Sequence, residues 1–223
     1  MQRPYGGWGA EVWGLSQLDR RFKIAYEQTR AAWAAADPAR AAALAGCSLG
    51  PEGIPVTYFG RPHLVPHPEG EVVNLASGKP AHASIAIVLW HYLLTADGVA
   101  PADRWLTFRE LPDGLFYSQA FAGHAEGLLA EKFGSDVEGF HRACSSLGGD
   151  RLTAAPGAGL APPDAAYRFQ AFPRLAIAVQ LWEGDEEFPG RVQVLFDAHA
   201  SHYLPTEDLS GVGDWLAHKL SAS

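Results

Sequence analysis

Leu181-Trp-Glu-Gly-Asp-Glu-Glu-Phe-Pro-Gly-Arg-Val-Gln-Val-Leu-Phe-Asp197 decides how this chain is read. An apolar run, an acidic tract with Gly and Pro, and a second apolar run describe two β-strands joined by a turn. Upstream, Leu175, Ile177, Val179 and Leu181 alternate on one side of the first strand, and Ala166–Ala171 precedes it as a third strand. The spacing therefore predicts a three-stranded antiparallel meander over 166–197. Downstream, Asp197-Ala-His199-Ala-Ser-His202 packs a carboxylate and two imidazoles into six residues, and a helix is expected from about Glu207 to Leu220.

Moving outward, Ile54–Phe59, Pro62–Val65 and Glu71–Val73 read as three short antiparallel strands, followed by an apolar helix over Ala81–Ala96. Trp105–Phe108 reads as a strand, Leu115–Leu147 as helix broken near Gly123 and Gly134, and Thr153–Pro163 as a surface loop. Toward the N-terminus, Glu11–Ala36 has helical spacing, and Asp37-Pro38 fits an N-cap followed by proline at the first position of a second helix, Ala39–Ala45. Strands then helix occurs twice, from Ile54 and from Ala166, without residue identity between the halves. Segregated strands and helices predict an α+β fold of antiparallel meanders packed with helices. The expected division is a helical segment at 1–46 and an α+β domain at 47–223.

With 223 residues, 48% hydrophobic, the chain can bury a core, and its net charge of −8 argues against a nucleic-acid partner. Two distant cysteines, Cys47 and Cys144, exclude a disulfide scaffold and a self-contained four-cysteine iron–sulfur site. The start Met1-Gln-Arg-Pro-Tyr-Gly-Gly-Trp8 lacks a signal-peptide core. The apolar run Ile85–Leu94 is too short to span a bilayer and contains His91. The expectation is a cytoplasmic protein with no membrane partner. Gly6-Gly7-Trp8-Gly9 follows no strand and so makes no phosphate loop.

Asp197, His199 and His202 are the first candidate ligands for a zinc-, iron- or nickel-type ion. One of these imidazoles could instead serve as axial ligand to a tetrapyrrole-type cofactor. Capping by Asp197 beside two surface histidines is the competing reading. Arg174, in the tight Phe172-Pro-Arg turn, is the cation expected nearest an anionic ligand there. His91 is a further cofactor-binding candidate, with a hydrogen-bonded core histidine as its alternative. Asp185, Glu186 and Glu187 are paired carboxylates at an exposed turn, where ordinary pKa values give them little chemistry. The turn and the histidines lie about 33 Å apart along one strand, so they form no common site. His63 and His67 flank a proline, and Cys144 reads as buried and inert.

Trp105-Leu-Thr-Phe-Arg-Glu-Leu-Pro-Asp-Gly114, Trp182-Glu-Gly-Asp-Glu-Glu-Phe-Pro189, Leu195-Phe-Asp197 and Tyr203-Leu-Pro-Thr-Glu-Asp208 together resemble the prokaryotic family DUF3786, a domain of unknown function, over about Leu44–Leu220. The resemblance implies an anaerobic redox or one-carbon setting, because some relatives look like fusions to a cysteine-rich iron–sulfur segment. This chain lacks those cysteines. The functional readings are then a module binding a small ligand, a metal or a tetrapyrrole-type cofactor, a metal-dependent hydrolase using Asp197, His199 and His202, or a protein–protein adaptor or homo-oligomer. The adaptor would be anchored by Trp8, Trp13 and Trp33.

Overall fold

A computed structural model describes residues 20–153 and 162–223. The chain is α+β with two antiparallel sheets. Helix α1 (Arg20–Ala34) and helix α2 (Pro38–Leu44) lead into β1 (Ile54–Tyr58), β2 (Arg61–Val65), β3 (Val73–Asn74) and β4 (Lys79–Pro80), which form a four-stranded sheet in chain order. Helix α3 (Ala83–Thr95) follows, then β5 (Trp105–Thr107), α4 (Gly114–Phe121), a π-helical turn at Ala122–Glu126, α5 (Gly127–Phe133) and α6 (Val137–Ser146). Strands β6 (Asp150–Arg151), β7 (Ala165–Phe172), β8 (Leu175–Trp182) and β9 (Arg191–Asp197) complete a second sheet of order β5-β9-β8-β7-β6, and α7 (Thr206–Ser221) closes the chain.

The meander forms as its alternation requires, with Val179 opposite Val194 and Ile177 opposite Phe196. Both faces of β8 are buried along almost its whole length, so its apolar run Leu-Ala-Ile-Ala-Val-Gln-Leu is continuous where a half-buried strand would alternate. One face meets the helices: Phe196 packs on Phe121 and Phe108. Gly213 of α7 lies so close that a Cβ there would stand 2.7 Å from the Phe121 ring. The two sheets meet where the Phe59 amide donates to Ala171 O at 3.0 Å, and an aromatic cluster of Tyr58, Phe59, Tyr92, Phe172, Tyr203 and Trp215 fills the junction.

Local signals hold where they are strong. Asp37 caps α2 through Oδ1, accepting from the amides of Ala39 and Arg40, with Pro38 at the first position. Other boundaries move. Strand β5 ends at Thr107 because Glu110 reaches back to the Thr107 amide and hydroxyl, both at 2.8 Å, and winds Phe108–Glu110 into a 3-10 turn. The third strand of the first sheet is Val73–Asn74, shifted from Glu71–Val73, and Lys79–Pro80 adds a fourth.

The N-terminal helix ends at Ala34, and its expected start at Glu11, with Trp8 and Trp13, lies outside the described residues. Most of the expected loop at 153–163 also lies outside them. Trp33 is not an exposed anchor. It is 1% exposed and donates its indole N–H to Pro66 O at 2.7 Å, because α1 packs its apolar stripe of Phe22, Tyr26 and Trp33 into the common core.

Candidate functional site

The exit of the β8–β9 hairpin is built around a segment from far earlier in the chain, Asp97–Arg104. Asp197 is 3% exposed. Its Oδ1 accepts from the amides of Ala102 (3.0 Å) and His199 (2.8 Å), and its Oδ2 from the amide of Asp103 (2.9 Å). Three of roughly four acceptor positions on the carboxylate are thus filled by backbone N–H groups. Ala198 N donates to Arg104 O at 2.7 Å, and β5 then pairs with β9 from Trp105 opposite Asp197.

The rest of the segment is held residue by residue. His202 Nδ1 meets Asp97 Oδ2 at 2.6 Å. Arg174 Nη1 donates to Gly98 O at 2.8 Å, the Tyr203 hydroxyl to Val99 O, and His199 Nδ1 to Ala100 O at 2.8 Å. Gly98 allows this path: its φ is +88°, and a Cβ would meet Leu44 at 2.9 Å. Arg174, His199 and His202 therefore converge on one four-residue stretch. The His202 bond and the Val99 amide hold the Asp97 carboxyl below its ordinary value.

The acceptors fix the histidine tautomers. A carbonyl and an ionised carboxylate only accept, so Nδ1 carries the proton in both rings and Nε2 is the bare nitrogen of the neutral form. The rings stand 5.2 Å apart between centroids at 73°, and neither Nε2 has a hydrogen-bond partner among the described residues. Among those residues, no group of three His, Cys, Asp or Glu is arranged to hold a metal ion.

His91 belongs to a different constellation. Its Nδ1 lies 2.6 Å from Asp208 Oδ2 on α7 and its Nε2 3.0 Å from Thr29 Oγ1 on α1. The Asp208 hydrogen bond raises its pKa against the opposing effect of burial. A further imidazole–carboxylate pair, His124 with Asp214 at 2.7 Å, joins the π-helical turn to α7, and burial raises the Asp214 carboxyl. The pairings with Asp97, Thr29, Asp208 and Asp214 were not visible in the sequence, since each lies tens of residues from the histidine it meets.

The acidic turn lies at the opposite end of the β8–β9 hairpin from Asp197, His199 and His202. Asp185, Glu186 and Glu187 are exposed, and Asp185 Oδ1 accepts from the amides of Glu187 and Phe188, both at 2.8 Å, which holds its carboxyl below the ordinary value. The turn borders an open groove of about 420 Å³ at the end of α5. His63 is 2% exposed and bonded at both nitrogens, to Arg61 O and Asn74. Burial raises the Cys144 thiol and pushes Cys47 up to about 11.

A family model described as a domain of unknown function, DUF3786, matches residues 37–219, and the chain belongs to that family. No curated protein and no solved structure matches it. No described helix is long and apolar enough to cross a membrane.

Proposed function

We propose that this DUF3786 protein is a cytoplasmic ligand-binding module that takes a divalent transition-metal ion between Nε2 of His199 and Nε2 of His202. The observation that carries this reading is the pair of locked imidazoles, their ring centroids 5.2 Å apart and their Nε2 atoms without a partner among the described residues. Ligating histidines typically donate the other ring N–H to a carbonyl or carboxylate, and here Ala100 O accepts from His199 Nδ1 and Asp97 from His202 Nδ1. With metal–nitrogen bonds of about 2.0–2.1 Å, two imidazoles on one tetrahedral ion have centroids roughly 5 Å apart. Opposite faces of a tetrapyrrole would need roughly 6 Å on the same bond length. A shared ion fits the pair better than two axial positions on a macrocycle.

Two protein donors leave the ion's remaining positions to water or to a small molecule with its own donor atoms. Asp197 is committed to the backbone of 102–103 and enters this reading as the clasp beneath the site. Arg174 braces Gly98, the neighbour of Asp97.

Titration with Co(II), followed by its visible absorption and by calorimetry, tests the site. One ion per chain is expected, weakening on acidification because a protonated Nε2 has no lone pair. His199→Ala with His202→Ala should abolish it. Full binding to that double variant, or no binding to the wild type, sinks the reading.

A further inference from the structure

Helix α1 buries one stripe against the domain, and Thr29 gives that stripe an aliphatic hydroxyl beside the phenol of Tyr26. Thr29 is 7% exposed between Tyr26 (5%) and Trp33 (1%). A helical threonine has a ready acceptor in the carbonyl one turn back, yet Thr29 Oγ1 points across to α3, 3.0 Å from His91 Nε2. The other nitrogen of that ring lies 2.6 Å from Asp208 Oδ2, contributed by α7. Because the carboxylate accepts, Nδ1 is protonated in the neutral ring and Nε2 is the acceptor for the threonine O–H. Three helices, with residues 62 and 117 positions apart, have placed hydroxyl, imidazole and carboxylate in line.

We propose that Thr29, His91 and Asp208 form a nucleophile–base–carboxylate relay that accepts an acyl group from an activated ester, a site sharing no residue with the histidine pair. The order of atoms is what such chemistry needs: hydroxyl to Nε2, Nδ1 to carboxylate. The His91 side chain is 31% exposed and Asp208 16%, so the relay opens to solvent at the imidazole. Leu94, Thr95 and Glu207 around it are exposed.

In the step, Thr29 Oγ1 attacks the ester carbonyl carbon while His91 Nε2 takes the hydroxyl proton. The carbon–oxygen bond to the leaving alcohol breaks, and that alcohol receives the proton from His91. Water, deprotonated in turn by His91, then hydrolyses the threonine ester to a carboxylic acid and restores the hydroxyl. Thr29 and His91 touch the reacting atoms, and Asp208 is a positioning residue that fixes the tautomer.

The charged groups acting on His91 are Asp208 and Glu207, both on α7. Both raise its pKa, so the neutral base is present only above a value higher than that of a free imidazole. The rate of acylation should therefore climb with pH through a midpoint above the ordinary imidazole range.

The test uses the full chain with p-nitrophenyl acetate, following p-nitrophenolate release and locating the acetyl group by peptide mass spectrometry. In samples quenched with acid during turnover, acetyl on Thr29 at up to one per chain is expected, with Thr29→Ser retaining the reaction and Thr29→Val losing it at least tenfold. Asp208→Asn should slow it by well over tenfold, since the amide favours the wrong tautomer, and lower the midpoint of the pH profile. Mapping the group on the wild type and reading the Asp208→Asn profile keep the test decisive if Thr29→Val unfolds. An acetyl group on lysine or tyrosine with none on Thr29, or a pH profile that Asp208→Asn leaves unmoved, overturns the relay.

Discussion

The two ends of the β8–β9 hairpin carry the same kind of side chain and use it in opposite ways. At the turn, the carboxylate of Asp185 caps its own loop, receiving amides two and three residues away. At the exit, the carboxylate of Asp197 is buried and receives amides 95 and 94 residues earlier in the chain. The first is a self-contained solvated feature. The second organises a segment, and through it orients two imidazoles. What an acidic residue does here is decided by which distant backbone the fold brings to it.

The strongest way to break this contrast is Asp197→Ala. It leaves three N–H groups without their acceptor, at about 1–3 kcal/mol for each one that water fails to reach. A loss of about 3 kcal/mol or more, or roughly 6–12 °C in Tm, is expected by thermal unfolding. A loss no larger than that from an exposed substitution would erase the distinction.

Gly190→Ala probes the turn where it does depend on the rest of the fold. The Gly184 amide bonds Gly134 O at 2.7 Å, and a Cβ on Gly190 would stand 2.1 Å from that same oxygen. The loop must then lift from the end of α5, at about 1–3 kcal/mol, while the histidine exit and its Co(II) spectrum stay as they were. A changed spectrum would mean that the two ends communicate.

The smallest effect belongs to the acidic side chains themselves. Asp185→Asn with Glu186→Gln keeps an oxygen for the two amides, so Tm should move by about 1 °C or less. Co(II) affinity should not change. A fall in affinity equal to that of the histidine variants would join ends that the geometry keeps apart.

These contrasts explain what could be read from the sequence. The meander, α2 with its Asp37-Pro38 start, α3 and α7 are each specified by neighbours within a few residues, and all form. Strands β4 and β6 are two residues long and have no period to detect. The Thr107–Glu110 capping box looked like the end of a strand because Phe108 continues the apolar run. The histidines at 199 and 202 were visible, while Asp97 looked like one loop aspartate among many. His91 could be singled out on its helix, but Asp208 reads as an acidic residue in the first turn of α7, and Thr29 as one more position on a buried stripe.

The clasp at Asp197 also says something about the order in which the molecule assembles. Strands β7, β8 and β9 follow one another through local turns, so the meander closes small loops. Strand β5 joins its edge by pairing Trp105, Leu106 and Thr107 with Asp197, Phe196 and Leu195, across a long loop whose entropy must first be overcome. On that ground the meander is expected to form before β5 and the 97–104 segment dock on it. Contacts made after the rate-limiting barrier govern unfolding more than folding. In stopped-flow refolding, then, the Asp197→Ala loss should appear as a faster unfolding limb above a nearly unchanged folding limb: the carboxylate that organises the exit acts as the latch fastened last and the first to open.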